Sequence, residues 1–100
     1  MPQGKIITVV EGTVPEEHWQ ELQAGYDTIL QSTPEGILQS FITQEKSEPT
    51  LWRLVTLWEN LEVLQAMQQS HSVPPGVKIF RDVGVTPAVN IFDVKQGFSR

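Results

Sequence analysis

Residues 50 to 71, TLWRLVTLWENLEVLQAMQQSH, change hydrophobic period once, at Trp58-Glu59-Asn60, and that switch limits what the chain can fold into. From Leu51 to Trp58 the residues favour β structure and are apolar on both alternating faces. Leu51, Val55 and Leu57 fall on one, Trp52, Leu54 and Trp58 on the other. A strand that is apolar on both sides belongs in the middle of a sheet. After Asn60, a good N-cap, Leu61, Leu64 and Met67 recur at helical spacing, with Glu62 in the first turn where the helix dipole favours an anion. A buried strand therefore runs directly into an amphipathic helix.

The flanking sequence supplies the other elements. Lys5 to Glu11 (KIITVVE) is β-branched and apolar on both pleat faces, which predicts a second interior strand. Thr13 and Glu16 stand at capping-box spacing with Pro15 between them, so a helix is expected to start there. Its apolar stripe is Trp19, Leu22, Tyr26, Ile29 and Leu30, and it should stop by Ser32, ahead of Pro34 and Gly36. Ile37 to Glu45 reads as a strand, joined through the polar turn Lys46-Ser47-Glu48-Pro49 to Leu51–Trp58 as a hairpin. The second helix is expected to run to about Ser70 and to be stopped by Pro74-Pro75-Gly76. Val77 to Val85 (VKIFRDVGV) alternates like an edge strand, and Ala88 to Val94 reads as a further short strand.

This order predicts an α+β fold, a ferredoxin-like β-α-β-β-α-β sandwich with an extra C-terminal strand, both helices on one face of a four-stranded antiparallel sheet. The other face would carry a continuous apolar patch larger than a monomer usually leaves in water. A second copy packed sheet to sheet about a two-fold axis covers it most simply, so a homodimer is expected, with the segment after Pro87 crossing to the partner.

Composition narrows the function. At 100 residues one domain spanning residues 1–100 is expected, with a single modest core. No apolar run is long enough to span a bilayer, and no charged start with an apolar stretch and small-residue cleavage site opens the chain, so a cytoplasmic, non-membrane protein is expected. Absence of cysteine excludes disulfides, thiolate metal sites and cysteine nucleophiles. A net charge of −5 with only 7 scattered Lys and Arg argues against nucleic-acid binding. No phosphate loop, dinucleotide fingerprint or nucleophile elbow is present, and two distant histidines without paired carboxylates do not suggest a metal site. No cofactor is therefore expected.

Six side chains are candidates for a ligand site. Trp58 reads as core at a buried strand end, a place from which it also walls any cavity between sheet and helices and stacks on a flat aromatic ligand. Trp52 does the same from the same pleat face, or serves as an edge or dimer-interface aromatic. Trp19 and Tyr26 lie on the inner stripe of the first helix, and the Tyr26 hydroxyl either directs a phenolic ligand or meets a structural hydrogen-bond partner. Arg53, a charge in the most apolar strand, requires Glu45 or another neighbouring carboxylate, a partner-subunit acid, or an anionic ligand. His71 and His18 are the groups suited to general-base work near neutral pH. His71 is the candidate, although the helix end it occupies also suits a simple cap.

The sequence also resembles a known family, the antibiotic biosynthesis monooxygenase-like proteins of the dimeric α+β barrel superfamily. The resemblance covers nearly the whole chain and rests on KIITVVEGTVPEEHWQEL, on Pro34-Glu35-Gly36 before the second strand, on the LVTLWENLEVLQAM junction and on VKIFRDVGV. Trp58-Glu59-Asn60 is similar to the family's Trp-Glu-Ser, with Asn60 in place of the capping serine. The resemblance implies a dimeric α+β barrel and a cofactor-independent monooxygenase acting on a small aromatic or polyketide-like molecule, its pocket walled by Trp58, Trp52 and Tyr26. The alternative is a non-enzymatic barrel that binds a ligand or a protein. Family members often carry an acidic residue where this chain has Thr56, and a helix-two histidine where it has Met67. The haem-degrading branch would need a tryptophan at Met67 and a histidine at Val77, so haem degradation by that machinery is not expected.

Overall fold

A computed structural model describes residues 4–100. Four strands, β1 (Ile6–Thr13), β2 (Ile37–Gln44), β3 (Leu51–Trp58) and β4 (Ala88–Asp93), form one antiparallel sheet in the order β2-β3-β1-β4. Both strands that are apolar on two sides, β1 and β3, lie in the middle, as their composition requires. Three helices, α1 (Trp19–Leu30), α2 (Leu61–Ser70) and α3 (Pro75–Arg81), cover one face of this ferredoxin-like sandwich.

Two clusters make up the core. In the larger, Leu22 and Tyr26 of α1 and Ile79 and Phe80 of α3 pack on Val10, Trp52 and Leu54 of the sheet. In the smaller, Leu64 of α2 closes on Ile6 and Trp58. Fully burying a side chain such as Leu22 or Phe80 stabilises the fold by roughly 1.5–3 kcal/mol. Asn60 caps α2 as expected, its Oδ1 accepting the Val63 N–H at 3.0 Å. The expected Thr13–Glu16 capping box does not form. Pro15 instead leads a short 3₁₀ turn, Glu16–His18, into α1, and Leu30 at the far end of the apolar stripe is exposed.

One expected element is of the wrong type. Val77 to Val85 is not a strand: Pro75–Arg81 is helix α3, and the chain then turns through Gly84 at φ 81°. Pro75 occupies the first helical turn, where its missing N–H costs nothing, so the residues taken as a stop signal act as a start. Adjacent Ile79 and Phe80 are both buried, together with Val83. A single-faced strand cannot bury two neighbours, whereas a helix stripe can. Lys78 and Asp82 pair across one turn at 2.8 Å. As a consequence, Ala88–Asp93 is the fourth strand of the sheet rather than an extra one. It pairs with β1 of its own chain from Ile6↔Asp93 to Glu11↔Ala88.

No other element of the described residues covers the outer sheet face. Phe41, Val55 and Val9 stand in one row across three strands, flanked by Leu57 and Ile7, and Phe41 and Phe92 are 55% and 50% exposed. Arg53 is on this face. Its Nε donates to Glu11 at 2.6 Å and its Nη1 to Glu45 at 3.3 Å. The Glu11 hydrogen bond and charge, with those of Glu45, push the guanidinium pKa still higher than usual.

Gly36 joins the α1–β2 loop to the β3–α2 junction, its carbonyl accepting the Glu59 N–H at 2.8 Å. A Cβ at this position would run into both methyls and the Cβ of Val63, atoms too close to a backbone to swing away. We expect Gly36→Ala to destabilise the protein by about 1–3 kcal/mol, read as a lowered melting temperature in a circular dichroism scan.

Candidate functional site

Between the two core clusters the helices stand off the sheet and leave a cavity of about 360 Å³. That volume lies at the lower end of the range for small-molecule pockets. Its lining comes from all three layers of sequence. Trp58 and Leu54 rise from β3, Leu64 and Met67 descend from α2, and Gly76 and Val77 close it from α3. Gly76 packs closely there, and a Cβ would meet the terminal methyl of Leu54 at 2.8 Å and turn it aside.

Polar groups enter at few points. Thr8, Ser40 and Thr56 lie on the cavity floor, His71 stands at the rim, and Ser32, Thr33 and Gln68 complete the polar lining. Trp58 is held in place by a hydrogen bond from its indole N–H to Thr8 Oγ1 at 3.0 Å. No lysine, arginine or carboxylate lines the cavity, so His71 is its one titratable side chain among the described residues. His71 caps the C-terminus of α2, with Nδ1 3.1 Å from the Met67 carbonyl and 3.0 Å from Ser70 Oγ. A carbonyl only accepts, so Nδ1 carries the proton in that contact and the neutral ring keeps its lone pair on Nε2. This leaves the ring able to take a proton from a ligand.

Of the sequence candidates, the structure brings Trp58 and His71 to one cavity. Trp52 faces the same side of the sheet but is sealed in the larger core cluster, its ring 5.9 Å from that of Trp19. The Trp52 indole nitrogen is buried and has no hydrogen-bond partner among the described residues. Trp19 spends its own N–H on the Val14 carbonyl at 2.8 Å. Tyr26 sits behind the wall and acts through Ser40, whose Oγ accepts the Tyr26 hydroxyl at 3.1 Å. Arg53 points from the opposite face into its two carboxylates, so it does not reach the cavity. Sequence reasoning passed over the three floor hydroxyls. Thr56 was legible as a polar residue on the inner pleat face of β3, but Thr8 and Ser40 become its neighbours only through strand register. Thr56, Met67 and Val77, where the resemblance implied other residue types in relatives, all line the cavity.

Among the described residues no group of three or more His, Asp or Glu could hold a metal ion, and no helix is long and apolar enough to cross a membrane.

Similar proteins are found at the level of fold. A provisionally assigned antibiotic biosynthesis monooxygenase from Deinococcus radiodurans superposes with a TM-score of 0.77 at 16% identity, covering 95% of this chain and 97% of its own. A conserved protein from Methanosarcina mazei Go1 gives 0.75 at 18% identity, covering 94% and 96%. SnoaB, a cofactor-independent oxygenase from Streptomyces nogalater, gives 0.68 at 12% identity, covering 97% and 99%. Identities this low speak for the shared fold alone. Among curated protein sequences none matches the chain. The family model for antibiotic biosynthesis monooxygenases, however, matches residues 5–78, which span β1 through the first half of α3 and so include nearly every wall of the cavity. The chain therefore belongs to the antibiotic biosynthesis monooxygenase family.

Proposed function

We propose that the cavity is the active site of a cofactor-independent monooxygenase that acts on a small, neutral aromatic or polyketide-like molecule. The observation that carries this reading is the pairing of a flat apolar wall, Trp58, with a single titratable group, His71, in a cavity without other charge. Family membership and the fold shared with the Streptomyces oxygenase support it. A planar ring stacked on Trp58 would be shielded from water, and a phenolic proton would pass to His71 Nε2. Loss of that proton makes the ring electron-rich, so the substrate itself can reduce dioxygen. One oxygen atom then enters the ring as a carbonyl and the other leaves as water with two hydrogens from the substrate, so a phenol becomes a quinone and the substrate supplies all the electrons.

A second reading rests on Met67. It occupies the cavity wall at the helix-two position where the resemblance implies a histidine, which favours a barrel that binds the same class of molecule without turning it over. The two readings part on one measurement. With a small quinol as substrate, the first expects oxygen uptake by the wild type and at least a 100-fold loss in His71→Gln, a size typical of a removed general base. Ligand binding without oxygen uptake by the wild type would leave only the second.

We also infer that the working form is a homodimer joined through the outer sheet face. The chain exposes 6977 Å², against roughly 5,700 Å² for a compact monomer of its mass. Phe98 in the tail after Val94 and Phe41 in the apolar row are among its most exposed large side chains. Arg53 inside this face is paired with both Glu11 and Glu45, so a second copy would bury no unpaired guanidinium, although the three groups together keep one negative charge. Val55→Lys should yield a folded monomer in light scattering at micromolar concentration where the wild type runs as a dimer. A wild type that scatters as a folded monomer would remove this inference.

A further inference from the structure

The three hydroxyls on the cavity floor are in register. Ser40 is paired with Thr56 across β2 and β3, and Thr56 with Thr8 across β3 and β1. Directly opposed residues share a sheet face with Cβ atoms about 4.5–5.5 Å apart, so the row runs roughly 10 Å under the cavity. Its ends are supplied with protons from outside. Trp58 donates to Thr8 at 3.0 Å and Tyr26 donates to Ser40 at 3.1 Å. The Thr56 hydroxyl, in the centre, has no hydrogen-bond partner among the described residues, yet the residue lines the cavity.

Counting protons gives this row a direction. Each hydroxyl carries one donor, so the row holds three. No hydrogen bond joins one of these hydroxyls to the next, and the Trp58 N–H and Tyr26 O–H both point their protons into the row. No carboxylate lines the cavity, and none of its other polar residues, Ser32, Thr33, Gln68 and His71, is hydrogen-bonded to the row. The Thr56 hydroxyl proton therefore meets no acceptor among the described residues and faces the cavity. A buried donor left unmatched is costly, whereas a carbonyl oxygen satisfies it.

We propose that Ser40, Thr56 and Thr8 form a donor rail that selects flat, neutral ligands bearing a ring carbonyl, quinone-like rather than plain hydrocarbon, with Thr56 as the specificity-determining residue. The proposal rests on the reading of the cavity as an aromatic-ligand site and adds the chemistry of the edge that the ligand turns to the sheet. A ligand that offers only donors would leave the Thr56 proton unpaired, and a hydrocarbon would do the same.

Equilibrium dialysis of naphthalene and of 1,4-naphthoquinone against the full chain tests it. Absence of cysteine limits covalent capture of the quinone. Thr56→Val removes the hydroxyl, breaks no hydrogen bond of the protein and places a strand-favouring residue in β3, so the variant should melt no lower than the wild type. It should weaken naphthoquinone binding about 10-fold and change naphthalene binding by less than about 2-fold. Ser40→Ala should lower naphthoquinone affinity about 3-fold with the same indifference to naphthalene, and carries the test should the first variant not fold. Equal effects on the two ligands, or none on either, overturn the rail while leaving the aromatic site in place. Failure of the wild type to bind either ligand overturns both.

Discussion

Strand β3 must bury residues on both of its faces, and the architecture follows from how that demand is met. Its inner face carries Trp52, Leu54, Thr56 and Trp58, all buried, and its outer face carries Leu51, Val55 and Leu57, all only half covered. Pairing along both edges, with β1 and β2, satisfies its backbone. The helices shelter only one side. What remains on the other is a sheet surface whose apolar row calls for a partner, because leaving it in water forgoes the transfer free energy that stabilises the inner side.

The inner face is not packed uniformly. α1 and α3 fill one half of it and α2 the other, and Gly76 and Leu54 meet at the seam. Where the two halves fail to meet, the sheet shows Trp58 and a row of hydroxyls to a partly open cavity. Active sites in α+β folds often arise at such seams between covering elements, since a gap in packing is the place where a ligand can substitute for missing side chains. The hydrogen bond from Trp58 to Thr8 matters here in two ways: it fixes the indole plane that forms the wall, and it fixes the acceptor side of a hydroxyl on the floor.

Placement, rather than residue type, sorted the candidate residues. Three tryptophans were equivalent in the sequence as aromatic ligand contacts, yet one walls the cavity and two stack within the core. Arg53 answered its burial problem with the neighbouring carboxylates of β1 and the end of β2, on the face away from the cavity. His71 gained weight only when the cavity lining proved to hold no other titratable group. The chain belongs to the antibiotic biosynthesis monooxygenase family, and Thr56, Met67 and Val77 all lie in the cavity lining.

The sequence alone determined the two central strands, the strand-to-helix switch at Trp58, the Asn60 cap and the bare apolar face, because each depends on side-chain periodicity or local capping within a dozen residues. It misassigned Val77–Val85, where short-range alternation imitates a strand and a proline pair reads equally as stop or start. Only tertiary contact, the burial of Ile79 and Phe80 against α1 and the sheet, selected the helix. Strand register was likewise beyond the sequence. Ser40, Thr56 and Thr8 lie far apart along the chain, and nothing local in any of them marks the others as neighbours. They meet because the sheet order β2-β3-β1 sets them side by side, a choice made by the packing of the whole fold.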